Sequence, residues 1–154
     1  MPDTFTKLKF FLMLRAVGLM RQMTLGARVA VIIDGKVLVV RHTYVGGWHL
    51  PGGGVSPGET SAEAGRREVL EETGFAIQGE MKLISLYHST LYTNRDHVAL
   101  FVANAATPQR AFKPGREITE IAWLDIDALP DDTSPATRRR LDEIAGREPI
   151  SPNW

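Results

Sequence analysis

A glycine-rich loop that leads directly into a strongly capped helix is the feature that most limits the folds open to this chain. The loop, residues 46–58, is rich in Gly and Pro, so no regular element is expected to persist through it and its backbone can approach a ligand closely. Thr60 and Glu63 have the spacing of a capping box. They predict a helix over Ser61–Thr73 that ends at Gly74.

Three glutamates are predicted to share one face of this helix. Glu68, Glu71 and Glu72 stand at positions i, i+3 and i+4, which lie on the same side of an α-helix. Like charges at this spacing destabilise a helix, and a bound divalent cation removes that conflict. Oxygen ligands favour Mg²⁺, or Mn²⁺, over Zn²⁺. The alternative is a solvated acidic face that Arg66 and Arg67 neutralise.

Strands are predicted on both sides of the loop and helix. Residues 27–33 and 36–42 are rich in Val, Ile and Leu and are separated by Asp34-Gly35, a strong hairpin signal. The further predicted elements are strands at 76–88, 97–103 and 121–124, a polar turn at 93–96, and a closing helix at 137–145. This order indicates an α+β fold or a mixed-sheet α/β sandwich, and not a regular βαβ repeat.

Composition narrows the class of protein. The length of 154 residues fits one domain, and 44% apolar with 23% charged residues is typical of a globular chain. Lys plus Arg and Asp plus Glu both number 18, so the net charge is zero and no electrostatic field of the whole protein recruits nucleic acid or an anionic membrane. The chain has no Cys, which excludes disulfides, thiolate metal sites and a Cys nucleophile. A cytoplasmic location is the resulting expectation.

The first 23 residues are interpreted as an N-terminal helix, separate from a catalytic domain at 24–154. Residues 5–23 lack Pro and mix apolar residues with Lys and Arg. Arg15 interrupts the apolar run and no small-residue cleavage site follows, so neither a signal peptide nor a membrane span is expected. Two interpretations stay open: packing on the domain or on a second subunit, and contact with a membrane surface or another partner.

Read together, the loop and the helix form one pattern of fixed residue types. Five residues separate Gly53 from Glu59, and seven separate Glu59 from Arg67. The complete set is Gly53, Glu59, Arg67, Glu68, Val69, Glu71, Glu72, Gly74 and Phe75. This pattern resembles the signature of the Nudix hydrolase family at every specified position. The motif spans 23 residues, and a looser resemblance extends from the first hairpin to Trp123 and Leu129-Pro130, leaving residues 5–23 outside.

The resemblance implies an α/β/α sandwich that hydrolyses a phosphoanhydride bond in a nucleoside diphosphate linked to another group, with Mg²⁺ between the helix and the diphosphate. It also implies that Arg67 orients a carboxylate. Glu71 and Glu72 are candidates for the base that activates water. The implied metal ligands are Glu68, Glu71, Glu72 and a backbone carbonyl of the Gly52 or Gly53 region.

A further base or ligand is implied by the resemblance in the loop ahead of the last strand. Glu117, six residues before Trp123, occupies a comparable place, and Glu120 is the competing candidate. Both also fit surface residues that flank a strand. Glu59 belongs to the motif but precedes the helix, so we expect it to support the site and not to perform chemistry.

The candidate substrate-binding residues are Arg41, Tyr44 and Tyr92. Arg41 is suited to phosphate and Tyr44 to stacking on a base, whereas Trp48 is more simply a hydrophobic anchor. Some similar enzymes acting on dinucleoside polyphosphates carry a Tyr about 16 or 17 residues past the motif, and ADP-ribose hydrolases carry a Pro at about that distance. Tyr92 lies near this place. No Pro occurs over 76–102, which slightly favours dinucleoside polyphosphates or nucleoside triphosphates.

A non-catalytic, nucleotide-binding sensor domain is the alternative function. Such domains resemble the family but usually have eroded carboxylates, and this sequence retains all three. The expected partner is therefore a small nucleoside diphosphate derivative, and a homodimer stays open.

Overall fold

A computed structural model describes residues 4–154 of the chain; residues 1–3 of the predicted N-terminal segment lie outside this range. The helices are α1 (Thr4–Arg21), α2 (Ser61–Thr73) and α3 (Pro135–Ile144). The strands are β1 (Thr24–Ile33), β2 (Lys36–His42), β3 (Trp48–His49), β4 (Gly52–Gly54), β5 (Phe75–Ile77), β6 (Lys82–Ser89), β7 (Asp96–Ala103), β8 (Ala106–Pro108) and β9 (Ile118–Asp125).

Strand β1 is the centre of a mixed sheet. It runs parallel to β7 and antiparallel to β2 and β4. The main strand order is β3-β2-β1-β7-β6. In addition, β9 pairs along the whole of β2, and β4 pairs with the first half of β1. Strands β5 and β8 form a separate antiparallel ribbon. The predicted mixed sheet is confirmed, and the hairpin is too: Ile33 pairs with Lys36, and Asp34 and Gly35 both adopt positive φ, as a two-residue turn requires.

Helices cover both faces of the sheet, which confirms the expected α/β/α sandwich. Alternate β1 residues point to opposite faces, so Val29 packs under α2 and Ala30 packs toward α3. The buried cluster on the α2 side contains Ala27, Val29, Val31, Leu38, Ala64, Val69, Ile77, Ala99, Phe101 and Ala103. The cluster on the α3 side contains Ala30, Val37, Val39, Trp48, Leu50, Tyr87, Leu100 and Leu141.

Several predicted elements differ in extent from those observed, among them the last strand, which spans Ile118–Asp125 and not 121–124. Short strands β3 and β4 interrupt the loop that was expected to hold no regular element, because the glycine backbone of β4 pairs with β1. The strand predicted at 76–88 divides into β5 and β6, since Gly79 adopts φ 68° and turns the chain between them. The closing helix begins at Pro135, two residues early, because Ser134 caps it.

Helix α1 lies apart from both clusters. Every side chain described from residue 8 to residue 21 is exposed. Within the described part of the chain, no helix is long and apolar enough to cross a membrane.

Candidate active site

Local sequence fixes both ends of α2. Thr60 Oγ1 accepts a hydrogen bond from the Glu63 amide at 3.2 Å, and the Glu63 carboxylate accepts one from the Thr60 amide at 2.8 Å. At the other end, Gly74 has φ 79° and donates its amide to the Leu70 carbonyl. The predicted capping box and glycine stop are therefore confirmed.

The glycine loop packs directly against the carboxylates of α2. Gly52 donates its amide to Glu72 Oε2 at 3.0 Å. A Cβ atom at Gly53 would lie 2.5 Å from Glu68 Oε1, so the Glu68 carboxylate would have to move away. Pairing of Ala27 with Gly53 and of Arg28 with Gly52 holds this loop on β1. The sequence therefore places two carboxylates against a backbone that only glycine keeps open.

Arg67 connects the acidic residues of the site. Its guanidinium donates to Glu59 through Nε at 2.8 Å and Nη2 at 3.1 Å, and to Glu68 through Nη1 at 2.6 Å. The same Nη1 reaches Glu71 at 3.3 Å, and Nη2 reaches the Gly54 carbonyl at 3.0 Å. Arg67 thus holds three carboxylates and the glycine loop in fixed relation, the arrangement expected of an orienting residue.

Glu59 supports this arrangement from outside the helix. Its second oxygen also accepts the Ser56 amide at 3.0 Å. The hydrogen bonds from Arg67, with a smaller contribution from Ser56, lower the pKa of Glu59 to about 2. The carboxylate therefore stays ionised at any physiological pH and remains a constant partner of Arg67.

Glu72 has a carboxyl group whose pKa is shifted in the opposite direction to that of Glu59. Burial, its largest cause, raises the pKa of Glu72 to about 7, and the negative charges of Glu68 and Glu117 act in the same direction. The Gly52 amide and the positive charge of Arg28 oppose the rise. Of the two helix neighbours expected from the sequence to repel Glu72, Glu68 contributes to the raised pKa, as a smaller effect than burial.

The two candidates ahead of the last strand lie in different surroundings. Glu117 is near enough for its charge to act on Glu72 and Tyr44. Glu120 instead forms a solvent-exposed ion pair of 3.1 Å with Arg41. The structure thus brings Glu117, and not Glu120, toward the carboxylates of α2.

Arg41 is committed to contacts away from those carboxylates. Besides Glu120, it binds Asp132 at 2.8 Å, and its guanidinium lies 4.2 Å from the centre of the Trp48 ring. Trp48 itself is buried in the cluster on the α3 side, as the anchor interpretation predicts. Arg41 does not line the pocket that contains Tyr44 and Tyr92.

A pocket of about 680 Å³ is lined by two of the candidate substrate-binding residues, Tyr44 and Tyr92. None of the α2 carboxylates lines it, but the charge of Glu72 acts on Tyr44 and that of the lining residue Arg28 acts on Glu72. Its walls come from the end of β2, the loop after β6 and the start of α3. The lining residues are Arg28, His42, Tyr44, Val45, Gly46, His49, Leu50, Ser89, Thr90, Leu91, Tyr92, Ser134, Pro135, Ala136, Thr137, Arg139 and Trp154. Mixed apolar and polar walls of this size are typical of small-molecule sites.

Two further pocket residues are Arg28, which was not singled out from the sequence, and His42, which follows the candidate Arg41 at the end of β2. Arg28 donates to the Leu50 carbonyl at 3.0 Å. His42 is 8% exposed, and its Nδ1 has no hydrogen-bond partner among the described residues. Burial lowers the pKa of His42 to about 4, so its ring is neutral at physiological pH. Strand alternation was the available signal, because it turns His42 to the opposite side of the sheet from Arg41.

Comparison with known proteins extends the resemblance seen in the motif. The NUDIX domain sequence model matches residues 23–144. A candidate 8-oxo-dGTP diphosphatase of Bacillus subtilis is 32% identical over 122 residues, which cover 79% of each chain. An ADP-ribose pyrophosphatase of Methanocaldococcus jannaschii is 34% identical over 100 residues, covering 63% of this chain and 59% of that protein.

Solved structures agree with the fold. The MutT NUDIX hydrolase of Burkholderia pseudomallei superposes with a TM-score of 0.69 at 26% identity, over 80% of this chain and 98% of that one. The MutT protein of Bacillus halodurans, at 19% identity and a TM-score of 0.68 over 79% and 82% of the two chains, shows the same fold. The chain belongs to the NUDIX family and is an enzyme that acts on pyrophosphate bonds of nucleotide-like compounds.

Proposed function

We propose that this enzyme hydrolyses a phosphoanhydride bond in a nucleoside diphosphate linked to another group, with a divalent cation held by α2. The observation that carries the proposal is the contact between the Glu68 and Glu72 carboxylates and the backbone of Gly52 and Gly53. Because the charge of Glu72 acts on Tyr44, which lines the pocket, one bound molecule can place a nucleoside in the pocket and its phosphates near the carboxylates.

The residues present fit Mg²⁺, with Mn²⁺ as the second candidate. The available donors are carboxylate and carbonyl oxygens, and the chain has no Cys. Among the described residues, no three His, Asp or Glu side chains are close enough to hold an ion unaided. Mg²⁺ does not require that, since it usually takes one or two carboxylates and completes its shell with water and substrate phosphates.

The proposed cation ligands are one or two carboxylates drawn from Glu68, Glu71 and Glu72, together with the Gly52 carbonyl. Bound there, the cation would neutralise phosphate charge and lower the pKa of water. Hydrogen bonds within the protein orient the carboxylate ligands. Arg67 fixes Glu68 and Glu71 by hydrogen bonds, and the Gly52 amide fixes Oε2 of Glu72. Glu71, Glu72 and Glu117 are the proposed candidates to accept the proton of the attacking water.

Substrate binding is proposed for the pocket. Tyr44 and Tyr92, both strongly exposed, offer rings on which a base can stack. Arg41 is not among the proposed phosphate contacts, because its guanidinium already forms ion pairs with Glu120 and Asp132. Arg28 takes its place as the proposed phosphate contact, since its charge acts on Glu72 and it lines the pocket.

Nucleoside triphosphates are the first proposed substrate class and dinucleoside polyphosphates the second. The Tyr92 position supports both, and the similarity to a candidate 8-oxo-dGTP diphosphatase supports the first. ADP-ribose comes third, on the similarity to the Methanocaldococcus jannaschii enzyme. No observation favours the alternative of a non-catalytic sensor, because all three carboxylates and Arg67 are present and connected.

A nucleotide panel tests the proposal. Nucleoside triphosphates, dinucleoside polyphosphates, ADP-ribose, nucleotide sugars and capped RNA are incubated with the full chain, with and without Mg²⁺, and products are identified by mass spectrometry. Turnover that needs the cation, is lost in Glu72→Gln and persists in the exposed control Glu80→Gln supports it. Turnover that survives in Glu72→Gln, or that needs no divalent cation, contradicts it.

A further inference from the structure

Residues 151–154 return to the sheet after α3 and lie along the end of β6. The His88 amide donates a hydrogen bond to the Pro152 carbonyl, and the Trp154 amide donates one to the His88 carbonyl, both at 2.9 Å. Asn153 is thereby paired with His88 in parallel orientation. The segment 151–154 thus runs as a short strand beside β6, next to the loop at 89–92 that lines the pocket.

A buried ion pair in α3 holds the segment 151–154 in place. Arg140 is fully buried, and its Nη2 binds Glu143 Oε1 at 2.8 Å. Arg140 Nη1 donates to the Asn153 carbonyl at 2.8 Å, and Glu143 Oε1 accepts a hydrogen bond from the Ser151 amide at 3.0 Å. Withdrawal of the segment would remove a partner from each of two buried charges, which costs free energy. The segment is therefore anchored against α3.

Trp154 forms part of the pocket wall and is half-buried. Its ring packs edge-to-face on Tyr87, with the ring centres 5.5 Å apart, and the Arg140 guanidinium lies 5.4 Å from the centre of the same ring. Arg139, which also lines the pocket, donates from Nη2 to the main-chain oxygen of Trp154 at 3.3 Å. Packing and hydrogen bonds on the protein side therefore fix the position of this residue in the wall.

The pocket wall favours an anionic ligand that carries an aromatic group. None of the described residues that line it is acidic, and Arg28 and Arg139 are among them. Tyr44 and Tyr92 are 69% and 76% exposed, so each loses side-chain freedom when a ligand orders it. Trp154 is already ordered by its contacts, and a ring positioned in advance avoids that cost.

We propose that Trp154 binds the base of the substrate by stacking, as the fixed aromatic residue of the pocket beside the exposed Tyr44 and Tyr92. This rests on the proposed function, because it takes the pocket to hold the nucleoside. Stacking on an aromatic side chain is open to every base, since each base has a π-face. Trp154 therefore increases the affinity for the nucleoside and takes no part in breaking the phosphoanhydride bond.

NMR titration of the full chain with nucleoside monophosphates tests the proposal. The probes are dAMP, dGMP, dCMP and dTMP, and deoxyribose 5-phosphate is the matched probe that lacks only the base. We expect the indole N–H resonance of Trp154, identified by its loss in Trp154→Phe, to shift with at least one nucleotide and not with the sugar phosphate. The proposal is overturned if no nucleotide shifts this resonance, or if the sugar phosphate shifts it equally.

Three variants distinguish stacking from packing. Trp154→Leu removes the ring but keeps an apolar side chain, and should raise the Kd of the nucleotide about tenfold, the usual effect of losing one base-stacking contact. Trp154→Phe keeps a ring, so its Kd should stay within about threefold of the wild-type value. Asn153→Ala changes an exposed neighbour whose main-chain atoms make its hydrogen bonds, and should leave the Kd unaltered.

Equal Kd values for Trp154→Leu and Trp154→Phe would overturn the proposal, because the ring would then contribute nothing of its own. An equal rise in Asn153→Ala would overturn it too, since the effect would then come from the segment as a whole. Thermal unfolding checks that each variant folds.

Kinetics separate this proposal from the proposed function. With a substrate from the panel, Trp154→Leu should raise KM about tenfold and keep kcat within about threefold of wild type. A monophosphate has no phosphoanhydride bond, so the titration reports on the pocket whether or not the panel shows turnover. Turnover with an unchanged KM in Trp154→Leu would overturn this proposal alone. Nucleotide binding at Trp154 without turnover of any panel member would overturn the proposed hydrolysis alone.

Discussion

The guanidinium of Arg67 donates a hydrogen bond of 2.6 Å to the carboxylate of Glu68, its neighbour on α2. The same guanidinium binds Glu59 through two nitrogens. The Arg67 guanidinium therefore orients the side chain of Glu68, a proposed metal ligand, and connects it by hydrogen bonds to the loop that precedes the helix. The position of Glu68 depends on the several N–H donors of the planar guanidinium group and not on its charge alone.

Replacement of Arg67 by Lys should lower kcat/KM about 10- to 100-fold, the usual effect of losing an orienting partner of a metal ligand. Lys keeps the charge but cannot donate along all these directions. The measurement is steady-state kinetics on the substrate found in the panel, over a range of Mg²⁺ concentrations. Arg66→Lys, on the same helix, is the control and should retain most activity. Equal losses in both variants would contradict the orienting role.

Gly53→Ala should abolish most activity without unfolding the protein. The added Cβ would lie 2.5 Å from Glu68 Oε1 and must displace that carboxylate. We expect kcat/KM to fall by at least about 100-fold, since small misplacements at a reacting centre have effects of this size.

The neighbouring Gly54 is the matched control for that variant. A Cβ at Gly54 meets nothing within 4 Å, and neither glycine has a positive φ. Gly54→Ala should therefore keep activity within about threefold, an allowance for a surface substitution. Circular dichroism and thermal unfolding check that both variants fold. Activity of Gly53→Ala close to wild type would show that the Glu68 position is not needed.

Glu117→Gln and Glu120→Gln distinguish the two acidic residues near the last strand. Glu117 acts electrostatically on Glu72, so its neutralisation should lower kcat by roughly 10- to 100-fold if it assists proton transfer or the cation. Glu120 contributes an exposed ion pair to Arg41, worth up to about 1 kcal/mol of stability and nothing to catalysis. The reverse order of kcat values would reject the assignment of Glu117.

His42 should make the folded state less stable as the pH falls below about 6.5. Its folded pKa is lowered to about 4 by burial, with help from the charge of Arg28. The unfolded chain therefore takes up the proton first, and stability is complete above the unfolded pKa and lost as the pH falls toward the folded one. At pH 5 the loss should be about 1 to 2 kcal/mol.

Urea unfolding of the wild type and of His42→Gln between pH 5 and 8 measures this effect. The difference in unfolding free energy between the two proteins should shrink as the pH falls from about 7 to 5, because only the wild type loses this contribution. Parallel curves across the range would show that His42 titrates normally. The imidazole resonances of His42, followed by NMR, give the pKa directly.

Local sequence determined much of the fold and the centre of the site. Thr60, Glu63 and Gly74 act on backbone groups within a few residues of themselves, so the ends of α2 follow from them alone. The Asp34-Gly35 turn likewise sets the register of the first hairpin. Helical spacing places the three glutamates together without reference to the rest of the chain.

Tertiary structure decided which of the other candidates meet those glutamates. Glu117 and Glu120 have similar local surroundings in the sequence, and only the course of β9 beside β2 turns one toward Glu72 and the other toward Arg41. The distant partners Glu120 and Asp132 likewise engage the guanidinium of Arg41, whereas the neighbouring His42 lines the pocket. Pairing between distant strands, such as β1 with β7, builds the pocket from parts that no local rule relates. Neighbouring residues determine the local hydrogen bonds, because both partners lie within a few positions of each other. The packing of the whole sheet determines which distant side chains meet at the site.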